Sequence, residues 1–552
     1  MKFLSKTAAL GLSFFTVAAF TSATSIPAYA EAETDLAVIE QVGDIAIAVQ
    51  QELDARIESA SSEALRQRLI EVRAFYEVRD FESIWIEDGK PSIYAREFVD
   101  ALLRAKEDGL DPDDYDADEL FQKLHVGNVT TIADLEIHLS TSLVSFAQHL
   151  NAGRLDPERV TQENVIYPAA ISAERVLDQI SSTGNIKVYL RLLAPHTPRY
   201  ERLRAALANY RRIAANGGWP EFPGGDVLRP GANDARIPIL RKRLALSEDF
   251  KGATANSSTK YDAPLVEAVK KFQRRHGLEV DGIVGADVSE QINISVEQRI
   301  ETIEYNLERR RWMQNDYGPR YIFTNLTDRV LKYVDNEKTR HAELIQAGQS
   351  FQGTPIFSDE MEYIEFNPYW TVPHKIATRK MLPQLQRNAG ALVSDGYEIM
   401  KDGKVVEASS IRWSNYSPDD FPFRIRQKPG GDNALGQVRF MFPNQFNVSI
   451  HDTPDSAKFD ETSRFAGFGY LRLRDPLKMA ELILKDQGWD REKIDEVVKS
   501  GQRAVVQLDD TVRVHIAYLT AWVNKDGSVQ FRRDEYGRDE ILANALLKVK
   551  GR

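Results

Sequence analysis

The residues best suited to chemistry are His451, in Ser449-Ile450-His451-Asp452-Thr453-Pro454, and the segment Gly467-Phe468-Gly469-Tyr470-Leu471-Arg472 that follows it. An imidazole can take a proton from a thiol or hydroxyl and raise its nucleophilicity. No thiol is present: the 552 residues contain no cysteine, which excludes thiolate nucleophiles, thiolate metal sites and redox pairs. The hydroxyls near His451 in sequence are those of Ser449, Thr453, Thr462 and Ser463, with the phenol of Tyr470 beyond them. A phenol of pKa ~10 is roughly 0.1% ionised at neutral pH, so Tyr470 is a weak nucleophile. A lone histidine on a strand is more often a hydrogen-bonded structural residue than an active base. The nine histidines show no ligand spacing, and His341-Ala342-Glu343 opens nothing like a metalloprotease helix. No metal and no cofactor is expected.

The elements that must position these residues change in period along the chain. Residues 36–212 read as mostly helical. Within them, 63–78 carries Leu65, Leu69, Val72, Phe75 and Tyr76 near helical spacing, and 92–107 carries Ala95, Phe98, Leu102 and Ala105 before Gly109 and Pro112. A third helix is expected over 140–150. The Gly/Pro-rich stretch 217–225 marks a boundary. Beyond it come a short helix over 237–244, a second over 265–276 with Asp262 placed to cap it, and a turn at 280–285 into a last short helix. The charged segment 295–313 has Ile300, Ile303 and Leu307 at spacing three and four and is expected to bridge to the last domain. From Arg320 the period becomes alternating. Strands are expected over 321–326, 330–334 and 511–523, the last with Val512, Val514, Ile516 and Tyr518 on one face, then a turn at 524–527 into 529–531.

The first residues read as a targeting segment. Lys2 and Lys6 precede a short apolar run, 7–19, and Ala28-Tyr29-Ala30 offers small residues where a signal peptidase would cleave before Glu31. The run is short for a membrane span, and no other segment is long and apolar enough, so a chain exported to the periplasm is expected, with no membrane span after cleavage. A net charge of −11 argues against a nucleic-acid partner. Exported without disulfides, the chain must rely on large cores.

Two stretches resemble known families. Residues 268–285 (AVKKFQRRHGLEVDGIVG) resemble the signature of the type 1 peptidoglycan-binding domain, a small three-helix module, which implies docking on cell-wall glycan or stem peptide. A second set of strings resembles the large L,D-transpeptidases of Gram-negative bacteria. It comprises Thr354-Pro355-Ile356-Phe357, Phe366-Asn367-Pro368-Tyr369-Trp370, Asn433-Ala434-Leu435-Gly436, Phe440-Met441-Phe442-Pro443-Asn444, His451-Asp452-Thr453-Pro454, Arg472 with Asp475-Pro476, and Tyr536-Gly537-Arg538. In that family a cysteine attacks a stem-peptide carbonyl, a strand histidine activates it, and the acyl group passes to an amine. The resemblance places His451 at the position of the family base and Tyr470 at that of the nucleophile. Gly469 and Arg472 are kept and Phe468 replaces a polar residue, with Asn444 assigned to the same substrate groove.

The expected architecture is α+β and multidomain. It comprises a signal peptide (1–30), a helical scaffold (31–216), a peptidoglycan-binding-like module (225–295), a linker helix (296–318) and a β-rich L,D-transpeptidase-like domain (319–552). That last domain carries a capping insertion at about 374–424, whose segments 395–398 and 413–423 could supply a mobile lid. The expected function is a cell-wall pseudoenzyme that binds peptidoglycan stem peptides or glycan, or a wall synthase, and regulates cross-linking. The alternatives are a murein peptide transferase or hydrolase that uses another nucleophile with His451, and a structural envelope partner.

Overall fold

The structure, a computed structural model, describes residues 28–549 except 126–128, 252–256, 314, 462–463 and 468. The expected targeting segment lies almost wholly outside the described residues, as do Thr462, Ser463 and Phe468. No helix among the described residues is long and apolar enough to cross a membrane.

The N-terminal half is built from helices whose ends are set by side-chain caps. α1 (Ala28–Ser59) packs on α4, and α2 (Glu63–Glu77) begins where Ser62 Oγ accepts the Leu65 N–H. α3 (Ile93–Leu103) starts at Ser92 in the same way and ends in a 3₁₀ turn closed by Gly109 in the left-handed region. α4 (Val129–Ala152) is longer than the expected third helix. It runs through the middle of this half with Leu135, Leu139, Leu143, Val144 and Ala147 buried. A two-residue strand, β1 (Asn164–Val165), then leaves the scaffold to pair with the large sheet described below. α5 (Pro198–Ala215), capped by Thr197, closes the scaffold.

The small module is three helices: α6 (Ile237–Leu246), α7 (Ala263–Arg275) and α8 (Ala286–Ile292). Asp262 caps α7 by accepting the Leu265 N–H at 3.2 Å, as its position in the sequence implies. Leu240, Leu265, Val269, Phe272 and Ile292 form its separate core.

α9 (Val296–Trp312) spans the charged segment and precedes the strands of the last domain. It opens with a reciprocal Ser295–Gln298 capping box and is packed into the molecule. Val296, Ile303 and Leu307 belong to the same buried cluster as the scaffold helices. The charged side chains of Arg299, Glu308, Arg309, Arg310 and Arg311 are buried as well.

Beyond α9 lies a sheet that closes on itself. Its first strands are β2 (Arg320–Asn325), β3 (Val330–Asp335), β4 (Lys338–Gly348) and β5 (Ile356–Phe366). After the insertion come β6 (Val438–Met441), β7 (Ile450–His451), β8 (Phe465–Gly467) and β9 (Leu471–Leu473), and after two helices β10 (Ala504–Ala517). The order is β6-β7-β9-β4-β3-β2-β10-β5-β1. β6 also pairs with β5, completing the ring, and β8 pairs with β4. The expected long strand 511–523 is interrupted after Ala517. There the side-chain oxygens of Asn325 and Asn306 accept the N–H groups of Leu519 and Thr520, at 2.9 and 3.0 Å. The chain is thereby delivered to a separate hairpin, β11 (Ala521–Val523) and β12 (Val529–Phe531). Ala521, Val523 and Phe531 of the hairpin join the scaffold core.

The insertion has a core of its own and a four-stranded sheet. Trp413, Phe421 and Phe423 of the aromatic segment expected to offer a lid are buried and pack on one another. Apolar area removed from water stabilises at about 25 cal/mol per Å², so these rings are committed to the insertion core.

Candidate functional site

Strand register brings His451 and Tyr470 together. β7 and β9 run parallel with Ile450 opposite Leu471 and His451 opposite Arg472. Side chains alternate along a strand, so Ile450 and Leu471 enter the core while His451, Tyr470 and Arg472 share the other face. The rings of His451 and Tyr470 lie edge to face, 5.6 Å between centroids at 65°.

His451 is 1% exposed, and its Nδ1 lies 2.5 Å from the backbone carbonyl of Asp452. A carbonyl only accepts, so Nδ1 carries the proton and Nε2 presents a bare lone pair. Nε2 is buried and has no hydrogen-bond partner among the described residues. Burial pushes the imidazole pKa down to about 3. The nearby charges of Arg472 and Arg439 push the same way, against the contact with the Asp452 carbonyl. This histidine is neutral and is a weak base.

The shift has a sign that can be measured. Below pH 6.5 the unfolded chain protonates His451 and the folded chain does not until about 3. Stability present above that window is therefore lost as pH falls through it, by up to about 1.4 kcal/mol per pH unit from this group. Denaturation midpoints between pH 7.5 and 5 are expected to fall less steeply in His451→Gln than in the wild type. Equal slopes would mean that Nε2 is solvated.

The surroundings explain why the motif strings are spelled as they are. Asp452 accepts the N–H groups of Gln437 and Thr453 at 2.8 and 2.7 Å. Gly436, at φ +61°, lies so close that a Cβ there would overlap the Asp452 side chain, so glycine is required. Asn433 ties the end of the insertion to the Pro368 and Lys428 carbonyls. Gly469 has φ +89°, a value that disfavours any side chain. Gly467 is buried, and its carbonyl accepts the Gln349 N–H at 3.0 Å. The facing loop, 348–354, is pinned by the Tyr536 hydroxyl on the Gly348 carbonyl and by Arg538 on the Thr354 carbonyl, at 2.6 and 3.0 Å. Sequence matching found Tyr536 and Arg538 without revealing this pinning role.

The other expected site residues are placed differently. Arg472 reaches Gln346 at 3.4 Å, with its Nε buried and unpartnered, and burial lowers its pKa. Asn444 spends its side chain on its own loop, donating to the Phe442 and Val448 carbonyls and accepting the Phe446 and Val448 N–H groups. It lines a cavity shared with Tyr167, Phe357 and His515. Phe468 lies outside the described residues. Ser449 accepts from Arg439 Nε at 3.1 Å, and Thr453 accepts the Asp455 N–H at 3.2 Å. Arg439, opposite His451 on β6, was not singled out in the sequence. Only the strand pairing places its charge beside the imidazole.

Three stretches of the chain match known domain families. Residues 70–207 match the "Scaffold domain", 233–292 the "Putative peptidoglycan binding domain" and 319–488 the "L,D-transpeptidase catalytic domain". His451 and Tyr470 both fall in the last stretch. A Haemophilus influenzae protein named "Putative L,D-transpeptidase" is 27% identical over 222 residues, which is 40% of this chain and 45% of that protein. The chain thus spans less than half of that relative's length. Crystal structures of L,D-transpeptidases from Xylanimonas cellulosilytica and Stackebrandtia nassauensis are 11% and 12% identical. Each alignment covers 53% of this chain, with 98% and 96% of theirs, at TM-scores of 0.17 and 0.21.

Proposed function

We propose, from a chain that carries an L,D-transpeptidase catalytic domain behind a peptidoglycan-binding domain, that it is an exported wall-binding pseudoenzyme. Tyr470 occupies the place of the nucleophile, and the chain binds peptidoglycan, or a wall synthase acting on it, without cross-linking. The observation that carries this reading is the pair at the strand junction. A histidine with its Nε2 lone pair bare is packed edge to face with a phenol ring in a chain that holds no cysteine. Cross-linking needs a nucleophile that ionises near neutral pH and leaves again readily. A base with its pKa lowered to about 3 has little power to ionise a phenol.

The test uses the full chain with a disaccharide-tetrapeptide and isolated sacculi. The expected result is co-sedimentation with sacculi and no dimer or hydrolysis product by mass spectrometry. Product that disappears in His451→Ala would replace this reading with that of an active transferase or hydrolase. Neither product nor binding to sacculi or a wall synthase would leave the structural envelope partner.

A further inference from the structure

Between the scaffold and the closed sheet lies a cavity of about 150 Å³, walled by α5, α9, β2, β3 and the loop after β11. β2 contributes Tyr321 and Phe323, and β3 contributes Lys332, residues that alternate with core positions such as Ile322 and Leu331. The helices contribute three arginines, Arg199 and Arg202 from α5 and Arg310 from α9. The Arg199 guanidinium lies over the Tyr317 ring at 5.0 Å and donates to the Tyr321 hydroxyl at 2.7 Å. Arg202 uses its Nε on the Val523 carbonyl at 3.3 Å. Arg310 is only 8% exposed, and its buried Nε has no partner. Burial holds the Arg310 pKa below the ordinary guanidinium value against the Tyr317 phenol, which hydrogen-bonds it, and the like charges of Arg199 and Arg202 push the same way as burial. Among the described residues the partners of the three are phenols and a carbonyl, Tyr321 for Arg199, the Val523 carbonyl for Arg202 and Tyr317 for Arg310, and none is a carboxylate.

The acidic side chains on the wall do not neutralise this cluster. Asp328 is taken by Arg532 at 2.6 Å, and Glu337 is exposed at the rim, while Lys525 adds a further cation. Arg310 is buried beside two half-buried like charges with no carboxylate counterion, a costly arrangement, whereas the buried Arg275 is matched by Asp249. In a protein of net charge −11 a cationic cavity is a marked departure. Planar guanidinium forks match the oxygens of phosphate and carboxylate groups. A water occupies about 30 Å³ of liquid, so the space suits one such group with a few waters and excludes a disaccharide.

We propose that this cavity binds a small oxyanion, a phosphate or the carboxylate end of a peptide, held by Arg199, Arg202 and Arg310. The bound anion joins a scaffold helix, α9 and the sheet, and so fixes the two halves of the protein against each other. The proposal is independent of whether Tyr470 reacts.

Inorganic phosphate, titrated into the full chain at constant ionic strength with chloride as the balance, is expected to raise the thermal midpoint, since a ligand of the folded state stabilises by mass action. Arg202→Gln and Arg199→Gln, both at half-exposed positions, should each weaken phosphate binding by about tenfold or more, the loss expected for one charge-assisted contact. Lys404→Gln, at an exposed position on the insertion, should leave it unchanged. A tetrapeptide with a free terminal carboxylate that displaces phosphate, where its amide does not, identifies a peptide end as a ligand. Displacement by neither leaves phosphate. Phosphate acting no differently from chloride, or acting equally on the wild type and both arginine variants, overturns the proposal.

Discussion

Tyr470→Cys is expected to convert the proposed pseudoenzyme into a protein that cross-links tetrapeptides, at least about a hundredfold above the wild-type background, the low end of what a positioned base contributes. On the proposed reading the strand junction supplies the base and its placement. His451 is locked in the tautomer that leaves Nε2 free to accept a proton, and the face it shares with residue 470 is set by the β7–β9 register. Removing the phenol ring clears the space where a carbonyl would sit. Loss of a catalytic nucleophile costs about 10⁶ in turnover in serine hydrolases, which leaves ample range for a partial recovery. His451 will not ionise the thiol in the ground state, because burial holds it at about 3. The rate should therefore climb with pH toward the ordinary thiol value of ~8.5, with no limb near 6.5. His451→Ala in the Tyr470→Cys background should lower turnover by about 10²–10⁴. Dimer formation, measured by mass spectrometry from pH 6 to 9, checks all three statements. A folded Tyr470→Cys protein that gives no dimer would show that this face is not arranged for acyl transfer.

The sequence discloses those parts of the molecule whose signals are local. The helix over 63–77, the Asp262 cap and the buried face of Val512, Val514, Ile516 and Tyr518 follow from spacing and capping chemistry within a few residues. His451 and Tyr470 were legible as a pair because strings on either side fixed their order. The carbonyl that sets the tautomer belongs to the next residue, Asp452, but its contact depends on the ring's orientation, and the charges of Arg439 and Arg472 beside the ring come from strand pairing, so neither could be read. Asn444 was placed in the groove by its string, but the structure shows its amide holding its own loop. α9 is legible as a charged helix, but the burial of its charges is not. Nothing within Glu308-Arg309-Arg310-Arg311 reveals the partners that bury it. Those partners are Asp539 for Arg309, the Tyr200 hydroxyl for Arg311, and backbone at the end of α4 for Glu308.

That buried face supports the second large effect: Glu308→Ala is expected to destabilise the protein by about 3–5 kcal/mol, the cost of breaking a buried ion pair from one side. Glu308 is 1% exposed and accepts four hydrogen bonds, from Arg311 at 2.8 Å, Trp312 Nε1 at 3.2 Å and the N–H groups of Arg154 and Leu155 at 2.6 and 3.2 Å. The last two exist because α4 ends at Gly153, whose φ of +90° turns the next N–H groups toward the carboxylate. A Cβ at 153 would meet Glu308 Oε1 at 2.6 Å. Alanine at 308 takes the acceptor from the Arg311 Nη2 and from three N–H donors, and leaves the buried guanidinium with the Asp108 carbonyl and the Tyr200 hydroxyl but no counter-charge. Glu308→Gln keeps one acceptor and the volume, so its cost should be intermediate. Glu304→Ala, one turn earlier and paired with the half-exposed Arg211, should cost about 1 kcal/mol or less. Urea midpoints rank the three variants. Because Glu308 ties the end of α4 to the helix that leads into β2, the alanine variant should also expose the 153–157 segment to limited proteolysis. Equal midpoints for Glu308→Ala and Glu304→Ala would mean that the scaffold and the closed sheet are held together without this carboxylate.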